Sequence, residues 1–359
     1  MNILSLFDGM SCGQIALNRL GIKYENYFAS EIDIYAIKVT QHNYPKTIQL
    51  GDINNWRNWN IDFSTIGLVT GGFPCQAWST AGKQLGDKDE RGKLFWVMLE
   101  IIKHIKSLNP NVIFLLENVK MKKDFEEYIT FHTEQALGKV EKYLINSALV
   151  SAQTRWRYYW TNIPNVTQPK DKGITWGDVR EHNVEADKYY YTEKALQWLA
   201  KESRKKNKTL KVHTDDEKMQ MLEASHHKKY SAQRFFGIVE SAEQAVGAIR
   251  GRYLVNGKRQ DGEQLTAGLT TQYIEFRYDG KTNTLFTVSK DNVVVPFTLP
   301  DRVPASEFLF RYITPVECER LQTVPDFYTS VVSDTQRYRM LGNGWTVDVI
   351  CHIFSHANF

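Results

Sequence analysis

Four cysteines in 359 residues, Cys12, Cys75, Cys318 and Cys351, are too few and too scattered for a disulfide-stapled fold. No pair of them has the close spacing of zinc ligands, so no metal is expected. The chain also lacks any run of 18 apolar residues that would span a bilayer, which excludes a membrane partner of that kind. Its opening, Met1–Leu6, has no basic leader ahead of the apolar stretch, which speaks against a secretory signal. No internal repeat, low-complexity tract or G-x-G-x-x-G fingerprint is present. Neither sign of charge dominates: 45 Lys and Arg stand against 41 Asp and Glu, a net +4. These absences describe a cytoplasmic protein with reduced thiols.

What is there suits a folded enzyme-sized chain. Hydrophobic residues make up 42%, charged ones 24% and aromatic ones 13%, a composition that buries a sizeable core and excludes disorder. The weak positive surplus is localised. Between Lys170 and Pro300 there are 22 basic against 18 acidic residues, which accounts for all of it. Lys201, Arg204, Lys205, Lys206, Lys208 and Lys211 form a run interrupted by one acid, Glu202. On charge alone such a run is most often a solvated face; a phosphate-contacting surface needs support from elsewhere.

Short apolar runs alternate with amphipathic stretches over the first 165 residues. Asn2–Leu6, Tyr27–Ser30, Leu68–Gly71, Val112–Glu117 and Tyr158–Thr161 read as buried strands. Ile34–Asn43, Leu94–Ser107 and Phe125–Leu137 carry apolar residues at helical spacing. The pattern predicts an α/β fold, a doubly wound and mainly parallel sheet of βαβ units, with ligands at the carboxyl ends of the strands. Alternation stops near Pro164. Arg250–Val255, Tyr273–Tyr278 and Leu285–Val288 then suggest strands in small hairpins, with Asn256-Gly257 and Asp279-Gly280 as turns. Helical patterning returns at Pro315–Leu321 and Thr346–Phe354. Three segments are expected: a catalytic and cofactor-binding domain over 1–168, a smaller β-rich domain over 169–300, and a return to the first over 301–359. Cys318 and Cys351 fall in amphipathic helices and are expected in the core.

The first strand runs into Phe7-Asp8-Gly9-Met10-Ser11-Cys12-Gly13, where glycines let the backbone pass close to a ligand. Glu31 and Asp33 follow the second strand, where a carboxylate takes ribose hydroxyls, and Asp52 with Ile53 follows the third, suited to an adenine. Singly, each carboxylate serves equally well as a helix cap or turn residue. In order along one sheet they describe a nucleoside site without a phosphate cradle, and S-adenosylmethionine fits it. The strongest signal is Gly71-Gly72-Phe73-Pro74-Cys75-Gln76-Ala77-Trp78-Ser79. A lone Cys is most often a small core residue. Cys75, however, ends an apolar strand, follows a Gly-Gly-Phe-Pro turn and precedes a polar loop, which is where an exposed nucleophile belongs.

These residues resemble the motifs of the DNA (cytosine-5) methyltransferases, and the resemblance covers nearly the whole chain outside Lys170–Pro300. Phe7-Asp8-Gly9 is similar to the family's cofactor loop, Glu31-Ile32-Asp33 to its ribose-binding motif and Gly51-Asp52-Ile53 to its adenine-binding one. Pro74-Cys75-Gln76 looks like the nucleophile motif, and Arg91-Gly92-Lys93-Leu94-Phe95 like the helix start beyond its loop. Glu117-Asn118-Val119, Gln153-Thr154-Arg155-Trp156-Arg157 and Gly342-Asn343-Gly344 complete the order. The nucleophile loop resembles the bacterial restriction-modification and phage enzymes, whereas Leu149–Ile163 and Gly344–Ile350 look somewhat like the animal de novo enzymes. Where the family usually has Ser or Ala, this chain has Gly344.

The resemblance implies a Rossmann-like methyltransferase fold and a reaction. Cys75 would add to C6 of a flipped-out cytosine, Glu117 would bond N3 and the exocyclic amine, and Arg157 would contact O2. Arg155 would hold the closed loop and a phosphate, Gln76 would fill the space the base leaves, and Ser79 and Gln153 would also face the DNA. S-adenosylmethionine would lie against Phe7, Asp8, Gly9, Gly13, Glu31, Ile32, Asp52, Ile53, Phe73, Pro74, Leu94, Asn343, Gly344 and Trp345. Double-stranded DNA would be the partner, read at a short site by the β-rich domain, where Thr270-Thr271-Gln272 and Thr282-Asn283-Thr284-Leu285 are the first candidates for base contacts. A monomer is expected, with any cognate restriction endonuclease acting separately. Two rivals remain: the same chemistry on transfer RNA, and an idle DNA-binding homologue. A long recognition region argues against the first, and intact Cys75, Glu117, Arg155 and Arg157 argue against the second.

Overall fold

The computed structural model describes residues 1–74, 90–182, 184, 189, 218–221 and 313–359; between 211 and 311 it adds a set of strands, described by their backbone. The chain divides into two compact units, Met1–Thr175 with Lys218–His227 and Pro315–Phe359, and Trp176–Glu217 with Lys228–Thr314.

The first unit alternates strands and helices. In chain order they are β1 (Asn2–Leu6), α1 (Cys12–Arg19), β2 (Tyr27–Ser30), α2 (Ile34–Asn43), β3 (Ile48–Gln49) and β4 (Ile66–Gly71). Next come α3 (Glu90–Leu108), β5 (Ile113–Val119), α4 (Lys123–Leu137), β6 (Glu141–Asn146), β7 (Gln153–Thr154) and β8 (Trp156–Thr161). The carboxyl-terminal segment adds α5 (Pro315–Leu321), α6 (Asp334–Asn343) and α7 (Val347–Phe354).

Seven of these strands form one sheet in the order β3-β2-β1-β4-β5-β8-β6. Pairing is parallel from β3 to β5, and β8 alone runs against its two neighbours. All five residues of β1 are buried, as a central strand covered on both faces requires. Covering helices follow from sequence in the same way. Phe95, Met98, Ile102 and Ile105 of α3 recur at helical spacing and are all fully buried. Phe114 and Leu116 of β5 and Trp160 of β8 belong to the same core. Asp33 starts α2 by accepting a bond from the Tyr35 amide at 2.9 Å, and Gly138 stops α4 at φ +79°.

The observed elements extend the expected ones and add others. β6 escaped notice because an edge strand needs no continuous apolar run; Ile145 is the one buried residue among its six. α6 was hidden by its polar sequence, DTQRYRMLGN, although Arg337, Tyr338, Met340 and Leu341 are buried. Cys318 lies in the core as expected, but Cys351 is only half-buried on α7. That helix packs on α1, where Arg19 pairs with Asp348, so the carboxyl-terminal segment is part of the first unit. No described helix is long and apolar enough to cross a membrane.

The second unit is strand-rich. Gln244–Arg252 pairs antiparallel with Thr271–Arg277 and with Asn292–Pro296, and Thr271–Arg277 also pairs with Val303–Pro304. Phe236–Val239 lies between Lys211–His213 and Phe310–Arg311. The single strand expected over Arg250–Val255 is two. One ends at Arg252, while Leu254–Val255 pairs antiparallel with Lys258–Arg259 in a separate sheet; the expected turn Asn256-Gly257 lies outside the described residues. The expected strand Leu285–Val288 and most of the basic run from Lys201 lie outside the described residues, as do Thr270 and Thr282-Asn283-Thr284.

Candidate active site

The sheet order reverses between β1 and β4, the place where an open α/β sheet leaves a crevice at its carboxyl edge. Register makes that edge a straight row. Leu6 is level with Ser30 and with Gly71, and Gly71 with Leu116. The next residues, Glu31, Phe7, Gly72 and Glu117, therefore stand side by side across four strands. Three strand spacings separate the two carboxylates, roughly 14 Å, the reach of a nucleoside with an attached side arm.

The Glu31 end is built from backbone. Phe7, Gly9 and Ser11 all have left-handed φ, at 56°, 58° and 62°, so the loop curls over the end of β1. A side chain at Gly9 would meet nothing within 4 Å, leaving open space above it. Glu31 accepts from the amides of Gly9 (2.7 Å), Ile32 (2.7 Å) and Asp33 (2.8 Å), which fixes its carboxylate at the crevice wall with lone pairs to spare. Ile32 beside it is 72% exposed, an apolar face offered to solvent. Asp52 caps a short turn of helix by accepting from the Asn54 amide at 2.9 Å, and Ile53 next to it is buried. Thr70, near the end of β4, has a buried hydroxyl with no hydrogen-bond partner among the described residues. A crevice with an open glycine, an exposed apolar residue and two carboxylates suits a nucleoside, so these residues fit one.

Asp8 lies between the two ends. Ser11 donates to one of its oxygens and Tyr27 to the other at 2.8 Å. Burial outweighs those bonds and, helped by Glu31, pushes its carboxyl up to about 6. Cys12 is buried too, and its thiol is pushed up to about 12, so it is no nucleophile.

At the other end, Glu117 is 8% exposed and both of its oxygens are engaged. Oε1 pairs with Nε of Arg157 at 2.9 Å, and Oε2 accepts from the indole N–H of Trp345 at 3.0 Å. Arg157 spends Nη1 on the Trp156 carbonyl (2.9 Å) and the Met221 sulfur (3.3 Å). Its Nη2 makes no hydrogen bond among the described residues and remains available to an acceptor. Asn118 donates from Nδ2 to the Phe73 carbonyl at 3.0 Å and so holds the turn that follows β4. Phe73 in turn packs on Phe95, ring centres 5.0 Å apart, and Leu94 is partly buried against the same core. Pro74 is the last described residue before Cys75, Gln76 and Ser79, which lie outside the described residues.

The carboxyl-terminal turn closes the site. Arg155 is 2% exposed, and its Nη2 donates to the carbonyls of Gly342 (3.1 Å) and Gly344 (2.9 Å). These bonds tie part of its buried guanidinium to main-chain carbonyls, while the loop it is expected to hold lies outside the described residues. Gln153 is fully buried and donates to the Leu321 carbonyl at 2.9 Å. Asn343 is exposed, whereas Gly344 is crowded: a Cβ there would come within 2.9 Å of the Met10 methyl and 3.1 Å of the Met340 carbonyl. A side chain there displaces the Met10 methyl or moves the Met340 carbonyl by a few tenths of an ångström. Sequence reasoning missed Gln322, fully buried, which donates to the carbonyls of Leu341 (2.7 Å) and Gly344 (3.3 Å) and accepts from Thr346. Nothing in its local sequence marks it; only the fold brings it to the turn.

The C-5 cytosine-specific DNA methylase family model matches residues 1–358. Type II methyltransferase M1.ScrFI of Lactococcus lactis subsp. cremoris is 30% identical over 358 residues, 97% of this chain and 75% of the relative. Type II methyltransferase M.HpaII of Haemophilus parainfluenzae is 26% identical, over 97% of this chain and 86% of its own length. The solved structure of the Entamoeba histolytica methyltransferase EhMeth superposes with a TM-score of 0.65 at 15% identity, covering 99% of this chain and 97% of that one.

Proposed function

Since the chain belongs to the C-5 cytosine-specific DNA methylases, enzymes whose methyl donor is S-adenosylmethionine, we propose that it methylates C5 of a cytosine flipped out of double-stranded DNA at a short recognition site, through a covalent bond from Cys75 to C6. The observation that carries this reading is the buried Glu117, held at the carboxyl edge of the sheet by Arg157 and Trp345, one strand spacing from the turn that leads to Cys75.

Cytosine C5 is a weak nucleophile until aromaticity is broken. Addition of the Cys75 thiolate to C6 opens the 5,6 double bond and puts electron density on C5. A thiol at neutral pH is only a few per cent thiolate, so Cys75 needs a neighbouring positive charge to act. Glu117 bonds N3 and the exocyclic amine, which steadies the charge that develops on addition. Arg157 gives its remaining Nη2 donors to O2 of the base. S-adenosylmethionine, held by Glu31, Ile32, Asp52 and the Phe7–Gly13 loop, supplies the sulfonium methyl that C5 takes. Loss of the C5 proton to water then drives elimination of Cys75 and restores the ring. A paired base reaches none of these groups, so the nucleotide leaves the helix at a cost of a few kcal/mol, and Gln76 fills the gap.

The stretch Lys170–Pro300 reads the sequence, with its basic run on phosphates and its polar turns on base edges. The relatives are named type II methyltransferases, and protection of DNA from a separate restriction endonuclease is the role this reading gives the chain. The test is a pool of random duplexes carrying 5-fluorocytosine, whose C5 substituent cannot leave as a proton. With S-adenosylmethionine present, a denaturation-resistant protein–DNA adduct is expected, absent in Cys75→Ala. An adduct in that variant, or adducts on RNA alone, would refute the reading.

A further inference from the structure

A carboxylate fixed through one oxygen still swings about its last side-chain torsion, which is broad and roughly two-fold. Arg157 alone would leave Glu117 such a pivot. The second bond, from Trp345 to Oε2, sets the plane of the carboxylate. We propose that Trp345 is a positioning residue for methyl transfer, holding Glu117 in the one orientation that meets the base, and that Arg155 and Gln322 serve it by pinning its turn. The inference rests on Glu117 being the carboxylate that meets the base.

The surroundings are built for that contact. Gly72 stands directly beneath it: a Cβ there would sit 3.0 Å from the indole nitrogen and 3.2 Å from Oε2 of Glu117, so any side chain wedges the pair apart. A Cβ at Gly13 would come within 3.7 Å of the indole ring, so glycine there leaves the ring room. The backbone of Trp345 is fixed at both flanks. Gly344 is held through its carbonyl by Arg155 (2.9 Å) and Gln322 (3.3 Å). Thr346 is held through its hydroxyl by Gln322 and by Ser147, both at 2.8 Å. An indole set close over Gly72, with the residues on either side of it tied, points its single donor at Glu117. Sub-ångström placement of a reacting group is worth orders of magnitude in rate, which gives such a scaffold its use.

Two variants test this. Trp345→Phe removes the donor together with part of the ring. Site-specific incorporation of 3-benzothienylalanine at position 345 replaces N–H by sulfur and keeps the shape. Single-turnover methyl transfer is expected to slow about tenfold to a hundredfold in both, the worth of one hydrogen bond to a charged group. Cofactor affinity in the isostere should be unchanged, so the effect falls on the rate and not on KM. Repeating Trp345→Phe on Glu117→Gln gives the cycle. There the single amide oxygen goes to Arg157, and loss of the indole should cost nothing further. Wild-type rate in the isostere, or the same loss on both backgrounds, would overturn the proposal. Wild-type rate in Glu117→Gln alone would instead overturn the role of Glu117.

Discussion

Replacing Arg155 with Ala separates an inward structural role from an outward contact to DNA. Its guanidinium is buried and bonded to the carbonyls of Gly342 and Gly344. In the variant Gly344 keeps its bond from Gln322 at 3.3 Å, whereas the bond Arg155 gave to Gly342 is gone. A buried acceptor without a donor costs on the order of 1–3 kcal/mol, and the charge-assisted bond to Gly344 adds on the order of 1 kcal/mol. A loss of about 3 kcal/mol lowers the melting temperature of a unit this size by about 6–12 °C. Thermal unfolding followed by circular dichroism reads that shift, and DNA affinity measured across a salt series on the still-folded protein reads the alternative. A phosphate contact would leave melting unchanged, weaken binding and reduce the salt slope by about one. That second pattern would refute the placement of Arg155.

Gln153→Ala should likewise destabilise, by about 1–2 kcal/mol in urea unfolding, with DNA affinity unaltered; weakened binding in a stable variant would contradict its burial. Asp8 predicts a pH effect. Its folded carboxyl, at about 6 against an ordinary 3.8, keeps its proton where the unfolded chain has lost it. Stability from this group is full below about pH 4 and falls as pH rises towards 6, by about 1–2 kcal/mol after allowance for its partial exposure. Melts of Asp8→Asn and wild type across pH 4–7 should differ in slope by that amount, with wild type losing more on the way up. Gly344→Ser should cost about 1–3 kcal/mol through the contacts at Met10 and Met340, and Met10→Ala should recover part of it; a neutral Gly344→Ser in calorimetry would show that the turn yields freely.

The parallel half of the sheet was legible because buried strands must be apolar on both faces. Asn2–Leu6, Tyr27–Ser30 and Ile34–Asn43 were read from the sequence with the bounds they have in the fold. Legibility failed where burial is one-sided or polar. Edge strand β6 and helix α6 carry no apolar run, and in the strand-rich unit a single break between Arg252 and Leu254 changes the pairing partner. Among site residues, the carboxylates after each strand announced themselves by position. The burial of Arg155 and Gln153 did not, because alternation along a strand tells which face a side chain takes but not whether that face is covered. The carboxyl-terminal segment covers it, and contacts such as Gln153 to Leu321 span sequence separations that local pattern never sees.

The proposed reaction is methylation of C5 of cytosine in DNA at a specific site, with Cys75 as the nucleophile at C6. Expressing the chain in a bacterium devoid of cytosine methylation and mapping 5-methylcytosine at base resolution tests it most directly, with Cys75→Ala alongside. The account predicts marks confined to one short motif in the wild type and none in the variant. A blank genome from folded, cofactor-binding protein, or marks that persist without Cys75, would contradict it.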